Sequence, residues 1–280
     1  MIRTVWAITF RMVAKYPAVL LPFLLKAIFE GIVLSVLFYF PRPPFTALFA
    51  KPIKNIFGAA YLHYPYNFNI LPTLFYYGQV IVMILFGVIM YGMAVAMVSQ
   101  AHSEGEGVRA FGSFNRAARR YFALLGIWAI IYILSFVILK APTWIVTSTM
   151  QRTPSSVMLL QVLSYAGIAV AFLVEALFIY AYPAMIIERR GVFGAIARSF
   201  GVVKHVFFAT IVLVFIPRLL EVLFMLVKQK QQGLMNLTFP EITLYILAAG
   251  IIISFVTDSL VFLSTANLFI LKQETEKESK

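Results

Sequence analysis

Cysteine is absent from this 280-residue chain, which excludes disulfides, thiolate metal sites and thiol nucleophiles and leaves the redox compartment undetermined. Charge is scarce as well. Charged residues make up 12% and apolar residues 62%, where a soluble domain carries about 25% and about 45–50%. A water-soluble chain of this length needs a charged surface over its core, and these long charge-poor runs leave nothing to build one. The composition is that of an integral membrane protein. Acids are scarcest of all, 11 against 23 Lys and Arg, for a net charge of +12. No nucleic-acid recognition motif accompanies that excess, so the expected partner is anionic membrane lipid, with a protein partner as the second candidate and nucleic acid as none.

Catalytic signatures are equally sparse. His63, His102 and His205 are scattered, with neither an H-E-x-x-H pattern nor a triad. The stretch "GEGVRAFG" at 105–112 follows a membrane span rather than a strand and has no phosphate-loop spacing; "NLT" at 236–238 is a bare glycosylation sequon. No cofactor, metal or catalytic set is expected.

A hydrocarbon core takes about 20 apolar residues to cross. Six segments meet that length: 17–40, 72–99, 120–140, 157–187, 206–227 and 242–271. Proline and polar clusters separate them, including "FPRPPF" at 40–45, "APT" at 141–143 and "KQKQQG" at 228–233. The first apolar run carries Lys26 and Glu30 and is followed by no small-residue cleavage site, so it reads as a retained span rather than a signal peptide.

The chain also repeats itself. "GSFNRAARRYFALLG" aligns with "RSFGVVKHVFFATIV", setting Phe114 against Phe200, Ser113 against Ser199 and Phe122 against Phe208. The opening "RTVWAITFRMVAKYPAVLL" is a weaker third copy, with Phe10 against Phe114. Later spans align too: "FLVEALFIYAYPAMIIER" and "FVTDSLVFLSTANLFILK" match Glu175 with Asp258. The expectation is one membrane domain of three tandem units, about 1–103, 104–187 and 188–280, each a basic amphipathic segment followed by a helical hairpin of two spans. Two spans per unit return the chain to its starting side, so the units share one orientation.

At 100° per residue, Phe111, Phe114, Ala118 and Phe122 share a stripe opposite Arg109, Arg116 and Arg120. In the other copy Val192, Ile196, Phe200, Val203 and Phe207 form the stripe. This pattern predicts interfacial elbow helices with aromatics in the acyl boundary and cations toward phosphates. The cations Arg109, Arg116, Arg119, Arg120, Arg189, Arg190, Arg198 and Lys204 either anchor the topology or form a surface for anionic headgroups or a partner. Their excess on one side puts elbows and both termini in the cytoplasm of a plasma or bacterial inner membrane. On the other side, "FTALFAKPIKNIFGAAYL" has the spacing of a further interfacial helix, interrupted by Pro52.

"YPAMIIERRGVFGAIARSF", with Pro183-Ala184, Glu188, a turn at Gly191 and Arg198-Ser199-Phe200, resembles the repeat unit of the membrane domain attached to some glycerophosphoryl diester phosphodiesterases and of related bacterial membrane families. The resemblance implies an all-α polytopic fold and a membrane location. It implies no phosphodiesterase activity, because those enzymes place catalysis on a separate barrel that no segment here encodes.

Charges inside the spans complete the reading. Lys26, Glu30, Glu175, Arg218, Glu221 and Asp258 fall at a similar depth, about 20 Å from the elbow ends at 1.5 Å per residue, with Lys26 one turn nearer the elbows. A charge at bilayer depth costs about 3 kcal/mol on insertion scales and faces a partner or a cavity. Two readings stay open: an ion-pair network fixing helix register, or a relay or headgroup cavity, which the surplus of two acids over bases would serve. Three functions follow in order: a non-enzymatic membrane protein engaging lipid or supporting a partner complex, a small transporter or channel, and an intramembrane enzyme.

Overall fold

A computed structural model describes residues 1–103, 108–149, 154–230, 233, 235 and 238–278. Arg152, Lys280, Asn236 and Leu237 of the sequon, and residues 105–107 of the glycine-containing stretch lie outside them. The described residues are helical almost throughout, in α1 (Ile2–Lys15), α2 (Leu21–Phe38), α3 (Thr46–Ile56), α4 (Asn67–Val82), α5 (Val88–Ser103), α6 (Ala110–Ala118), α7 (Tyr121–Thr149), α8 (Pro154–Phe178), α9 (Ala181–Ile186), α10 (Val192–Gln229) and α11 (Ile242–Glu278). Among the described residues, six helical stretches are long and apolar enough to cross a membrane: Pro17–Phe38, Asn67–Ser103, Tyr121–Val146, Met158–Ile186, Val192–Gln229 and Ile242–Glu278. This is a multi-pass helical membrane protein.

The helices run longer than the polar punctuation suggests. α7 continues through "APT", with Pro142 inside it, and α3 continues through Pro52. Proline frees one carbonyl and strains the turn, whereas ending the helix would unpair several backbone groups; in an apolar environment the continuous helix costs less. α4 joins α5 through one π-helical turn, Met83–Gly87. The turn expected at Gly191 falls two residues earlier: Arg189 takes the left-handed conformation (φ 55°) and the Arg190 N–H reaches back to the Ala184 carbonyl at 3.4 Å, while Gly191 is extended. This is the geometry of a helix C-terminus closing on a left-handed residue.

Three helix breaks fall in matching places. α1 stops at Tyr16, whose neighbour Pro17 disfavours helical backbone before it. A turn at Arg119 and Arg120 separates α6 from α7, and Val206 breaks α10 at φ −128°, ψ 30°. With Phe10, Phe114 and Phe200 superposed, Tyr16, Arg120 and Val206 occupy one position. The residues before those phenylalanines, Thr9, Ser113 and Ser199, are all buried hydroxyls.

Helices α2 and α4, α7 and α8, and α10 and α11 pack together. Glu30 meets Gln79 between α2 and α4, and Arg218 meets Asp258 and Glu221 meets Thr257 between α10 and α11. α11 also packs on α2 and α5, and α10 on α8. The end of the bundle carrying α1, α6, α9 and the last turns of α11 is called here the terminal end. α3 lies at the far end, seating Ile53 against Phe40 and Ile70.

The main core fills the terminal end around α5 and residues 257–270 of α11. Small residues let the backbones approach there: Gly92 is so close to Leu124 that an added Cβ would sit 2.7 Å from its Cδ1.

Candidate functional site

Each of the six charged residues in the spans is placed by its helix. Lys26 and Glu30 lie one turn apart on α2, Glu175 near the end of α8, Arg218 and Glu221 three residues apart on α10 just after Pro217, and Asp258 midway along α11. The fold brings all six together. Lys26 Nζ lies 2.9 Å from Glu30 Oε1 and 3.0 Å from Asp258 Oδ2. Arg218 grips Glu175 with two bonds, Nε to Oε2 at 3.0 Å and Nη2 to Oε1 at 2.5 Å. Its Nη1 donates to Glu221 Oε1 at 2.6 Å and to Asp258 Oδ1 at 3.0 Å. Asp258 is therefore the bridge between the two cations. The planar guanidinium fork holds several acceptors at once, as an ammonium point charge does not.

Four neutral residues that the sequence reading passed over complete the cluster. Tyr91 donates its hydroxyl to Asp258 Oδ2 at 2.7 Å, and Gln79 donates to Glu30 Oε2 at 3.3 Å. Ser254 accepts from Lys26 at 3.3 Å, and Thr257 donates to Glu221. Ser254 stands four residues before Asp258, on its helical face, and that spacing was the available signal. Gln79 and Tyr91 had none, because they come from a span with no charge of its own.

This cluster forms the floor of a cavity of about 520 Å³. All six membrane-length segments line it, and its walls include Tyr76, Trp128, Tyr132, Phe172 and Met225. Lys228 lines it too, Nζ lying 5.1 Å from the Phe224 ring centre. Lys228 opens the polar cluster expected to separate the last two spans, but α10 extends through it to Gln229. The charge count around the cavity is thus three cations to four acids, and the surplus is one acid rather than two.

Below the floor, toward the terminal end, aromatic rings close the bundle. Tyr91 stacks on Phe262 at 4.0 Å, and Tyr182 meets Phe262 edge-on at 5.3 Å. Phe23 lies 6.3 Å from both Tyr91 and Phe262. A second polar chain lies beyond them, where His102 shares a 2.8 Å bond with Asn267 and Asn267 donates to Thr9 at 3.0 Å. His102 is thereby a packing residue of the terminal end. His63 and His205 are exposed.

The basic surface residues are not brought into one site. Arg116, Arg119, Arg189 and Lys204 are exposed and Arg120 is half-buried, while the Arg109 backbone N–H donates to Gln100 at 3.0 Å. Arg198 is engaged within the protein: it binds Glu188 at 3.0 Å and Glu276 at 2.6 Å, and Arg190 pairs with the same Glu188 at 2.5 Å. The face that α6 and the start of α10 turn to the bundle is made of Ser113, Ala117, Ala195 and Ser199, all fully buried. Phe111 and Phe122 on the aromatic stripe are 83% and 84% exposed from the rest of the protein.

No family model, curated protein or solved structure matches the chain.

Proposed function

We propose that this is a non-enzymatic membrane protein that engages lipid, receiving the polar end of a membrane amphiphile in the six-span cavity. The observation that carries this reading is the cavity itself. A network serving only helix register would be enclosed, with packed side chains over it. Here Lys26, Glu30 and Asp258 are buried, but Glu175 and Glu221 keep 17% and 30% of their side chains exposed where they line the cavity, beside the aromatic and apolar walls that a ligand with both polar and apolar parts requires.

The same proposal takes the architecture as three tandem hairpins with elbows lying along the membrane surface. The in-register breaks at Tyr16, Arg120 and Val206, the buried hydroxyls beside each repeat phenylalanine and the exposed aromatic stripe support it. So does the resemblance to the phosphodiesterase-linked membrane repeat, at the level of architecture. The exposed cations of the elbows meet anionic headgroups, each contributing about 1 kcal/mol near a charged surface, and orient the terminal end to the cytoplasm. In the cysteine-free chain, Thr275→Cys should resist an impermeant thiol reagent applied outside intact cells while Tyr64→Cys reacts; the reverse pattern overturns the orientation.

Lipid co-purifying with the full-length protein, identified by mass spectrometry, tests the main reading. One tightly held lipid is expected, and Ser135→Trp, which fills the wall of the cavity, should remove it. A stoichiometric protein in place of lipid favours the partner-complex reading.

The aromatic closure beneath the charges favours a second reading, a small transporter caught with its terminal side shut. Flux of a small cation or proton in proteoliposomes, lost in Asp258→Asn, would establish it; no flux above empty vesicles removes it.

A further inference from the structure

We infer that the cavity selects a zwitterionic aminophospholipid headgroup, with the ammonium on the acid-rich floor and the phosphate at Lys228. This rests on the lipid reading above and adds the chemical class. The floor holds four carboxylates against two cations, Lys26 and Arg218, all of them bound to those carboxylates. Glu221 is the acid most open to the cavity, its side chain 30% exposed, and Arg218 and Thr257 both bind its Oε1, leaving the other oxygen for a ligand. A cationic group therefore gains at the floor, and an anionic one is repelled.

The wall carries the opposite sign. Lys228 lies over the Phe224 ring and has no ion-pair partner among the described residues. A purely cationic ligand reaching Glu221 would pass and face it. Glu221 and Lys228 stand seven residues apart on one helix face, about 10 Å along the axis at 1.5 Å per residue. An ammonium and a phosphate separated by two carbons, with a charge-assisted bond of about 2.8 Å at each end, cover about the same distance. Gly250 lets Phe224 and Lys228 lie close against α11, which holds the lysine ammonium at the cavity wall: a Cβ there would lie 3.5 Å from Lys228 Nζ and 3.0 Å from the Phe224 ring. The apolar walls, Trp128, Ile131 and Phe172 among them, suit the glycerol and first acyl carbons.

Native mass spectrometry of the full-length protein titrated with dioleoyl phosphatidylethanolamine or dioleoyl phosphatidylglycerol tests this. The ethanolamine lipid is expected to bind about tenfold more tightly, the difference of one charge-assisted contact. Glu221→Gln should erase that preference by weakening the ethanolamine lipid alone, and Lys228→Gln should weaken both lipids. Lys228 is at the exposed edge, so its variant reports even if Glu221→Gln misfolds. Displacement by excess glycerophosphoethanolamine would support the zwitterion chemistry and assign it to a soluble source. Equal binding of the two lipids, both excluded by Ser135→Trp, would overturn the headgroup assignment and leave the cavity reading standing. Binding of neither lipid to the parent protein would overturn both.

Discussion

At the terminal end, α5 and residues 257–270 of α11 are enclosed on every side, whereas the far halves of α7 and α8 present Ile133, Val137 and Val162 outward and leave a cavity behind them. Of the most apolar stretch of Asn67–Ser103, 67% is buried inside the protein, against 11% for that of Tyr121–Val146. The side chains explain the difference. Gly92, Ala94, Ala96, Ala184, Ala195 and Ala266 allow close helix contact and van der Waals packing at the terminal end. Around the cavity Tyr76, Trp128, Tyr132 and Phe172 line a space that the charged groups also face. The core around α5 is held by packing and the level of the cavity by ion pairs, so the two should respond differently to substitution.

Arg218→Leu is expected to be the most damaging single change. It strips Glu175, Glu221 and Asp258 of their shared donor, and breaking buried pairs of this kind costs about 3–5 kcal/mol. Thermal unfolding in detergent would measure it, and adding Glu175→Gln to the variant should recover part of the loss. An Arg218→Leu protein as stable as the parent would show that packing alone holds the helices at the cavity level.

Gly92→Val attacks the packed end by overfilling it. Its new Cβ meets Leu124, Ala117 and Ile186, and a cost of about 1–3 kcal/mol is expected. Lipid binding in the cavity should remain, which separates the two ends experimentally.

Tyr91→Phe probes the boundary. The ring keeps its stack on Phe262, while the hydroxyl bond to Asp258 is lost; a bond to a charged group is worth about 1.5–3 kcal/mol, so a loss near the lower figure is expected. Lys228→Gln should change stability by less than about 0.5 kcal/mol, because Lys228 is exposed and forms no ion pair among the described residues. A drop as large as that of Arg218→Leu would instead place Lys228 inside the structural network.

The sequence by itself determined the helical class and the six membrane-length segments, because hydropathy over about 20 residues is a local property and the 1.5 Å rise converts position directly into depth. It also put Lys26, Glu30, Glu175, Arg218, Glu221 and Asp258 at one level. Helix ends were legible only where local chemistry governs them, as at Tyr16 before Pro17; Pro142 and Pro52 misled, since an apolar environment penalises unpaired backbone more than a strained turn. Only the tertiary structure decided that Asp258 bridges Lys26 and Arg218, that Gln79 and Tyr91 from an uncharged span join them, and that Lys228 faces the same cavity. Those choices depend on the rotation of each helix about its axis and on which neighbours it packs against. Both are set by the fit of side chains far apart in the chain, and a one-dimensional pattern of hydropathy does not encode them.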